Sequence, residues 1–236
     1  MKRTHLTGLL LAAALGCSNL SGDSSTPVVI DVFAVAGSGI SGQVEIGDTA
    51  TMTARALNAQ GDSVAATFTW GTPDTGIVFL DPQTGRISGK VPGTAKVQAR
   101  SGSLISDFVT LTVVPMADSL VLIPPDSARL LSVDTASAPL VAEMDSINPT
   151  GPLSGRRIVY EITQFFPAAD SASLNGGLFV LNATTTATGQ PSVPVFVRKI
   201  SGRPHPDSVY VEIRSYRPSG VLIPGSGQAF IVRFDP

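Results

Sequence analysis

The residues able to do acid–base, nucleophilic or metal chemistry are few: two histidines, one cysteine, four glutamates and fourteen aspartates in 236 residues. His205 stands between Pro204 and Pro206, with Asp207 two positions on. A Ser-His-Asp triad would use it as the base, steadied by a carboxylate on the second ring nitrogen. Asp207 is near enough, but no Gly-x-Ser-x-Gly elbow supplies a nucleophile. His205 therefore reads as a solvent-facing turn residue. His5 falls in a leader segment, which leaves one histidine and no spare thiol for zinc. Asp118 and Asp126 could hold a calcium ion near mid-chain, yet no Asp-x-Asp-x-Asp-Gly loop supports one. The four glutamates, Glu45, Glu143, Glu161 and Glu212, and most aspartates lie in turns or on polar strand faces. Counting them does not exclude a glycosidase pair. Gly37-Ser38-Gly39-Ile40-Ser41-Gly42 has the glycine spacing of a dinucleotide loop, but no helical pattern follows it. The expectation is no catalytic residue, no cofactor and no metal, so not an enzyme.

Cys17 has a different chemistry. Lys2 and Arg3 precede an apolar run from Leu9 to Leu15, and Gly16-Cys17 closes it. These are the three parts of an export signal, and the run is short of the roughly 20 apolar residues of a membrane span. The sole cysteine of an exported chain has no disulfide partner. The segment ending in Ala14-Leu15-Gly16-Cys17 resembles the lipobox of bacterial lipoproteins. That resemblance implies cleavage after residue 16 and acylation of Cys17, with Ser18 favouring the outer membrane. Two or three acyl chains, at roughly 0.8 kcal/mol per buried methylene, make a stable anchor. Cleavage after Ala12-Ala13-Ala14 would instead release a soluble chain with a free thiol. Residues 17–27, with four serines and few apolar side chains, read as a flexible tether.

The elements that would position these groups are strands. Ala50, Met52, Ala54 and Ala56 alternate with Thr49, Thr51, Thr53 and Arg55; Ala95, Val97 and Ala99 alternate with Thr94, Lys96 and Gln98. Val109, Leu111 and Val113 share one face, and Val209, Val211 and Ile213 share another. Period-two alternation predicts antiparallel strands buried on one side. Turn signals recur about every 8–12 residues, the spacing of sandwiches. Asp-Ser pairs at 62–63, 118–119 and 207–208 punctuate strand starts. Charged residues are 14% of the chain and the formal charge is -2, with no basic run after the N-terminus, which argues against nucleic acid. Plentiful apolar residues argue against disorder. A boundary falls at Val114-Pro115-Met116-Ala117-Asp118, and so short a linker predicts end-to-end stacking with limited swing.

Residues 28–115 resemble a bacterial immunoglobulin-like domain of group 2. The resemblance is carried by Val44-Glu45-Ile46-Gly47-Asp48, Asn58-Ala59-Gln60-Gly61-Asp62, Phe68-Thr69-Trp70, Asp81-Pro82-Gln83-Thr84-Gly85-Arg86-Ile87-Ser88-Gly89, Pro92-Gly93-Thr94-Ala95 and Val109-Thr110-Leu111-Thr112-Val113, in that order. It implies a non-catalytic β-sandwich with Trp70 in the core; an exposed Trp70 would instead stack a sugar face. Gly85 and Gly89 read as serving turn geometry. Residues 116–236 resemble an immunoglobulin-like group 1, invasin-type domain. Val141 to Ile147, Gly155-Arg156-Arg157-Ile158-Val159-Tyr160-Glu161-Ile162 and Thr186-Ala187-Thr188-Gly189-Gln190 carry that likeness, and Pro191 departs from it. The fold class expected is all-β: two tandem sandwiches (28–115 and 116–236) after a signal peptide (1–16) and a lipidated tether (17–27).

Tyr210, Glu212, Arg214 and Tyr216 would line the outward face of one strand, a mix of aromatics and charge that binding surfaces use and that ordinary cross-strand packing also explains. The function expected is an envelope-anchored adhesive or spacer module. Its partners would be the membrane, through the lipid, and an envelope protein or polysaccharide. A carbohydrate-binding or carbohydrate-active accessory, or a structural subunit of an envelope assembly, is the alternative.

Overall fold

The computed structural model describes residues 24–35, 42–131, 133–167, 172–204 and 206–235, all as strands, turns and loops with no helix among them. The signal peptide, Cys17 and residues 36–41 of the glycine loop lie outside the described residues, as does His205.

In the N-terminal half the strands are β1 (Val29–Val35), β2 (Gln43–Glu45), β3 (Thr49–Leu57), β4 (Ser63–Val64), β5 (Thr69–Gly71), β6 (Val78–Leu80), β7 (Arg86–Gly89), β8 (Gly93–Ser101), β9 (Leu104–Ile105) and β10 (Val109–Val114). One sheet runs β1-β3-β7-β6 and the other β2-β10-β8-β5, with β4 and β9 as short additions. This is the strand order of an immunoglobulin sandwich. The expected alternation is realised: along β3, Met52 and Ala56 are buried while Thr49, Thr51, Thr53 and Arg55 are exposed. Ile30, Met52, Val78 and Ile87 from one sheet meet Val44, Trp70, Ala95, Val97, Ala99, Leu111 and Val113 from the other in a single core.

Trp70 is 8% exposed and belongs to that core, and a ring of its size buries on the order of 200 Å². Gly85 lets it in: a Cβ there would lie 2.8 Å from the indole Cε2 and Nε1, and its φ of +70° suits glycine. Asp81 builds the turn before Gly85, its carboxylate accepting the N–H groups of Gln83 and Thr84. Those bonds hold its carboxyl below the usual range. Gly89 corrects an expectation. It sits within β7, not in a turn, and is needed for close approach: a Cβ would come 2.7 Å from the Glu45 carbonyl oxygen and from Val113 Cγ1.

The C-terminal half comprises β11 (Ser119–Leu122), β12 (Ser127–Leu130), β13 (Ala142–Ile147), β14 (Thr150–Pro152), β15 (Arg157–Phe166), β16 (Ala172–Leu174), β17 (Val180–Thr184), β18 (Val197–Lys199), β19 (Ser208–Arg214) and β20 (Ala229–Phe234). Its larger sheet runs β12-β20-β19-β15-β17. Opposite lie β11-β13-β14 and the pair β16-β18. The Ser137 N–H donates to Val197 O and the Leu140 N–H to Val195 O, which ties the lead-in to β13 alongside β18. A second core, from Ala117 to Phe234, fills the space between the sheets. Tyr160 and Phe230 stack in it with ring centroids 6.4 Å apart.

Not every pairing is antiparallel. β2 runs parallel to β10 and β12 parallel to β20. In each half the leading segment splits: β1 and β11 join one sheet, β2 and β12 cross to the other and lie beside its last strand. Alternation in sequence reports one-sided burial, which both pairing senses satisfy, so it could not reveal this. The Asp-Ser pairs do stand at strand starts, since β4, β11 and β19 all begin at the serine.

Candidate functional site

β19 is the central strand of the five-stranded sheet, between β15 and β20. Val209, Val211 and Ile213 point into the core, so Tyr210, Glu212 and Arg214 share the outward face. Cross-strand register sets Glu212 opposite Glu161 of β15 and Tyr210 opposite Gln164. Two like charges face to face would repel. Arg214 resolves this, its Nε lying 2.6 Å from Glu212 Oε1 and its Nη1 3.0 Å from Glu161 Oε2. The hydrogen bond from Arg214 lowers the Glu212 carboxyl, and the same bond raises the Arg214 guanidinium. The face is thus a Tyr beside an ion triad with a surplus negative charge. Tyr216 does not continue it as a strand residue. β19 ends at Arg214, Ser215 turns inward, and Tyr216, 49% exposed, bridges to Leu222 across a turn.

The junction between the halves holds a second charged cluster, one that the sequence reading did not single out. Glu45 ends β2 and has no exposed surface. Its Oε1 lies 2.9 Å from Arg156 Nη2 and accepts the Ala117 N–H at 3.3 Å; its Oε2 lies 3.7 Å from Arg217 Nε. Arg156 Nη2 also donates to Pro115 O at 2.5 Å, and Arg217 Nη2 to Ala117 O at 3.0 Å. Burial pushes the Glu45 carboxyl up, opposed chiefly by Arg156. Burial likewise lowers the Arg156 guanidinium, opposed by Glu45. Both arginines come from loops with fixed backbones. The Arg156 N–H donates to Thr185 Oγ1, and Arg217 opens a turn closed by its N–H to Val221 O. The available signal was Gly155-Arg156-Arg157, two cations in a charge-poor chain, but nothing local to it points to Glu45.

Other candidates find structural employment. Asp118 Oδ2 accepts the Ile147 N–H at 2.7 Å, and Asp126 contributes its carbonyl to the Ile231 N–H. No group of three metal-ligating side chains occurs among the described residues.

No family model matches the chain, and no curated protein does. Among solved structures it is similar to the Yersinia pseudotuberculosis adhesin InvE, at 16% identity and TM-score 0.42, over 88% of this chain and 59% of that one. It is similar to the Escherichia coli adhesin FdeC at 14% identity and TM-score 0.42, over 88% of this chain and 64% of that one. Domains 4 and 5 of the S-layer protein SbsC match at 12% identity and TM-score 0.35, over 89% of this chain and 100% of that one. The chain thus spans less than two thirds of the two adhesin structures. Likenesses this low carry no inference about activity or partners.

Proposed function

We propose that this chain is a non-catalytic cell-envelope lipoprotein. In this reading residues 28–115 and 116–236 are tandem immunoglobulin-like sandwiches of the group 2 and the group 1, invasin type. They hold a binding face away from the membrane as an adhesive or spacer module, and acyl chains on Cys17 anchor it, most simply in the outer membrane. The observation that supports the reading is a split leading segment in each half, β2 beside β10 and β12 beside β20, around two separate cores, with charged side chains spent on turns, sheet faces and the junction. The ligand class is an envelope protein or polysaccharide, met by the Tyr210, Glu212 and Arg214 face with Tyr216 beside it.

Intact-mass spectrometry of membrane-extracted protein tests the anchor. Loss of residues 1–16 and a gain of acyl mass on Cys17 is expected, with Cys17→Ser moving to the soluble fraction. An unmodified Cys17 in a freely diffusing product overturns it. A glycan array beside a reducing-sugar assay tests the module: turnover that disappears in Glu161→Gln would move the chain to the enzymes.

A further inference from the structure

Between the last strand of one half and the first of the next there are four residues, 115–118. Each polar backbone contact of this linker goes to a fixed group. Pro115 O and Ala117 O accept from Arg156 and Arg217 of the C-terminal half, the Ala117 N–H donates to Glu45 of the N-terminal half, and the Asp118 N–H donates to Asp145 O. Met116 packs toward Gly47, where a Cβ would meet its Cε at 3.4 Å. Ala117 itself has no exposed surface and belongs to the C-terminal core.

Glu45 is the centre of this arrangement, the one acidic side chain among the described residues of the N-terminal half that is paired with both arginines. Its backbone is equally constrained. β2 is held in parallel register with β10, Glu45 opposite Val114, and β7 approaches so closely at Gly89 that no Cβ fits. A carboxylate without exposed surface must stay paired, because breaking a buried pair leaves an uncompensated charge. Any swing of one half about the linker would draw Arg156 and Arg217 from Glu45 at once. The cluster is also imperfect: Glu45 Oε2 and Arg217 Nε are buried and, 3.7 Å apart, make no hydrogen bond. An apolar contact could hold two halves together without that cost. What the ions add is direction, since two guanidinium groups on separate loops define one orientation of the carboxylate.

We propose that Glu45 is the positioning residue that fixes the angle between the two halves and makes them melt as one cooperative unit. The inference stands on the junction geometry and is independent of what the module binds or how it is anchored.

The test uses the full chain in a Cys17→Ser background, with spin labels at Thr53→Cys and Asn182→Cys, both exposed and one in each half. A single narrow inter-label distance and one calorimetric transition are expected without further change. Glu45→Gln should broaden the distance distribution at least twofold and split the melt into two transitions, with the strand signal of circular dichroism retained. Arg156→Met should do the same from the opposite side, and it decides the matter if Glu45→Gln fails to fold. A broad distribution or two transitions in the parent overturns the proposal. So does a narrow distribution with one transition in both variants.

Discussion

The Tyr160 hydroxyl, on β15 of one sheet, accepts the backbone N–H of Ala142, on β13 of the facing sheet, at 3.3 Å. A single buried side chain therefore crosses the C-terminal sandwich and pairs a main-chain donor that has no water available. Burial pushes the Tyr160 phenol well above its ordinary range, so it stays neutral.

Tyr160→Phe keeps the stack on Phe230 and removes only the oxygen. The Ala142 N–H is then buried without a partner, which costs about 1–3 kcal/mol. Thermal melts should show a fall of several degrees with near-unchanged circular dichroism at low temperature. No change in the melting temperature would mean that the Ala142 N–H finds another acceptor.

Gly85→Ala and Gly61→Ala form a matched pair. Both glycines have positive φ, but a Cβ at Gly61 meets nothing within 4 Å, while at Gly85 it meets Met52 O and the Trp70 ring at 2.8 Å. Gly61→Ala should cost only the left-handed backbone penalty, about 1 kcal/mol. Gly85→Ala adds the overpacking, about 1–3 kcal/mol more. Urea denaturation of the two variants measures the difference, and equal midpoints would show that the Trp70 pocket yields.

The Arg214 contacts give a pH signature. Glu212 is held below its ordinary value of 4.5 by the bond from Arg214. Its contribution is therefore present above that ordinary value and is lost as pH falls through the lower folded one. Arg214 is about a third exposed, so solvent screening limits the effect to about 0.5–1 kcal/mol. Glu212→Gln should be less stable than the parent at pH 7, and the two should converge as the pH falls below the ordinary carboxylate range. A gap that persists or widens on acidification contradicts this assignment.

Much of the architecture was legible because burial writes itself into alternation. The stretches Thr49–Ala56, Thr94–Ala99 and Ser208–Arg214 each show the expected inward and outward faces. The gap between strands at 115–118 was legible too, since proline and other non-strand residues stand there between two apolar runs. Gly189 sits in the turn read at Thr186–Gln190 and packs where a Cβ would lie 2.6 Å from Met144 O. Two- and three-residue strands such as β4, β9 and β14 are too short to show a period. Tyr216 keeps the parity of β19 but lies beyond its end and pairs with Leu222, and Ser215 between them bonds Arg157 O through its hydroxyl. Glu45 was hidden for a different reason. Between Val44 and Ile46 it reads as the outward residue of a strand, and only the docking of a distant loop and turn turns that outward face inward.

The parallel pairing of β2 with β10, and of β12 with β20, has a mechanical consequence. In each half the second strand enters and the closing strand leaves at opposite ends of one hydrogen-bonded ladder. Tension along the chain then loads those ladders in shear, so that their rungs must fail together and not one after another. A force drawn along the chain would meet its stiffest resistance at these two short seams.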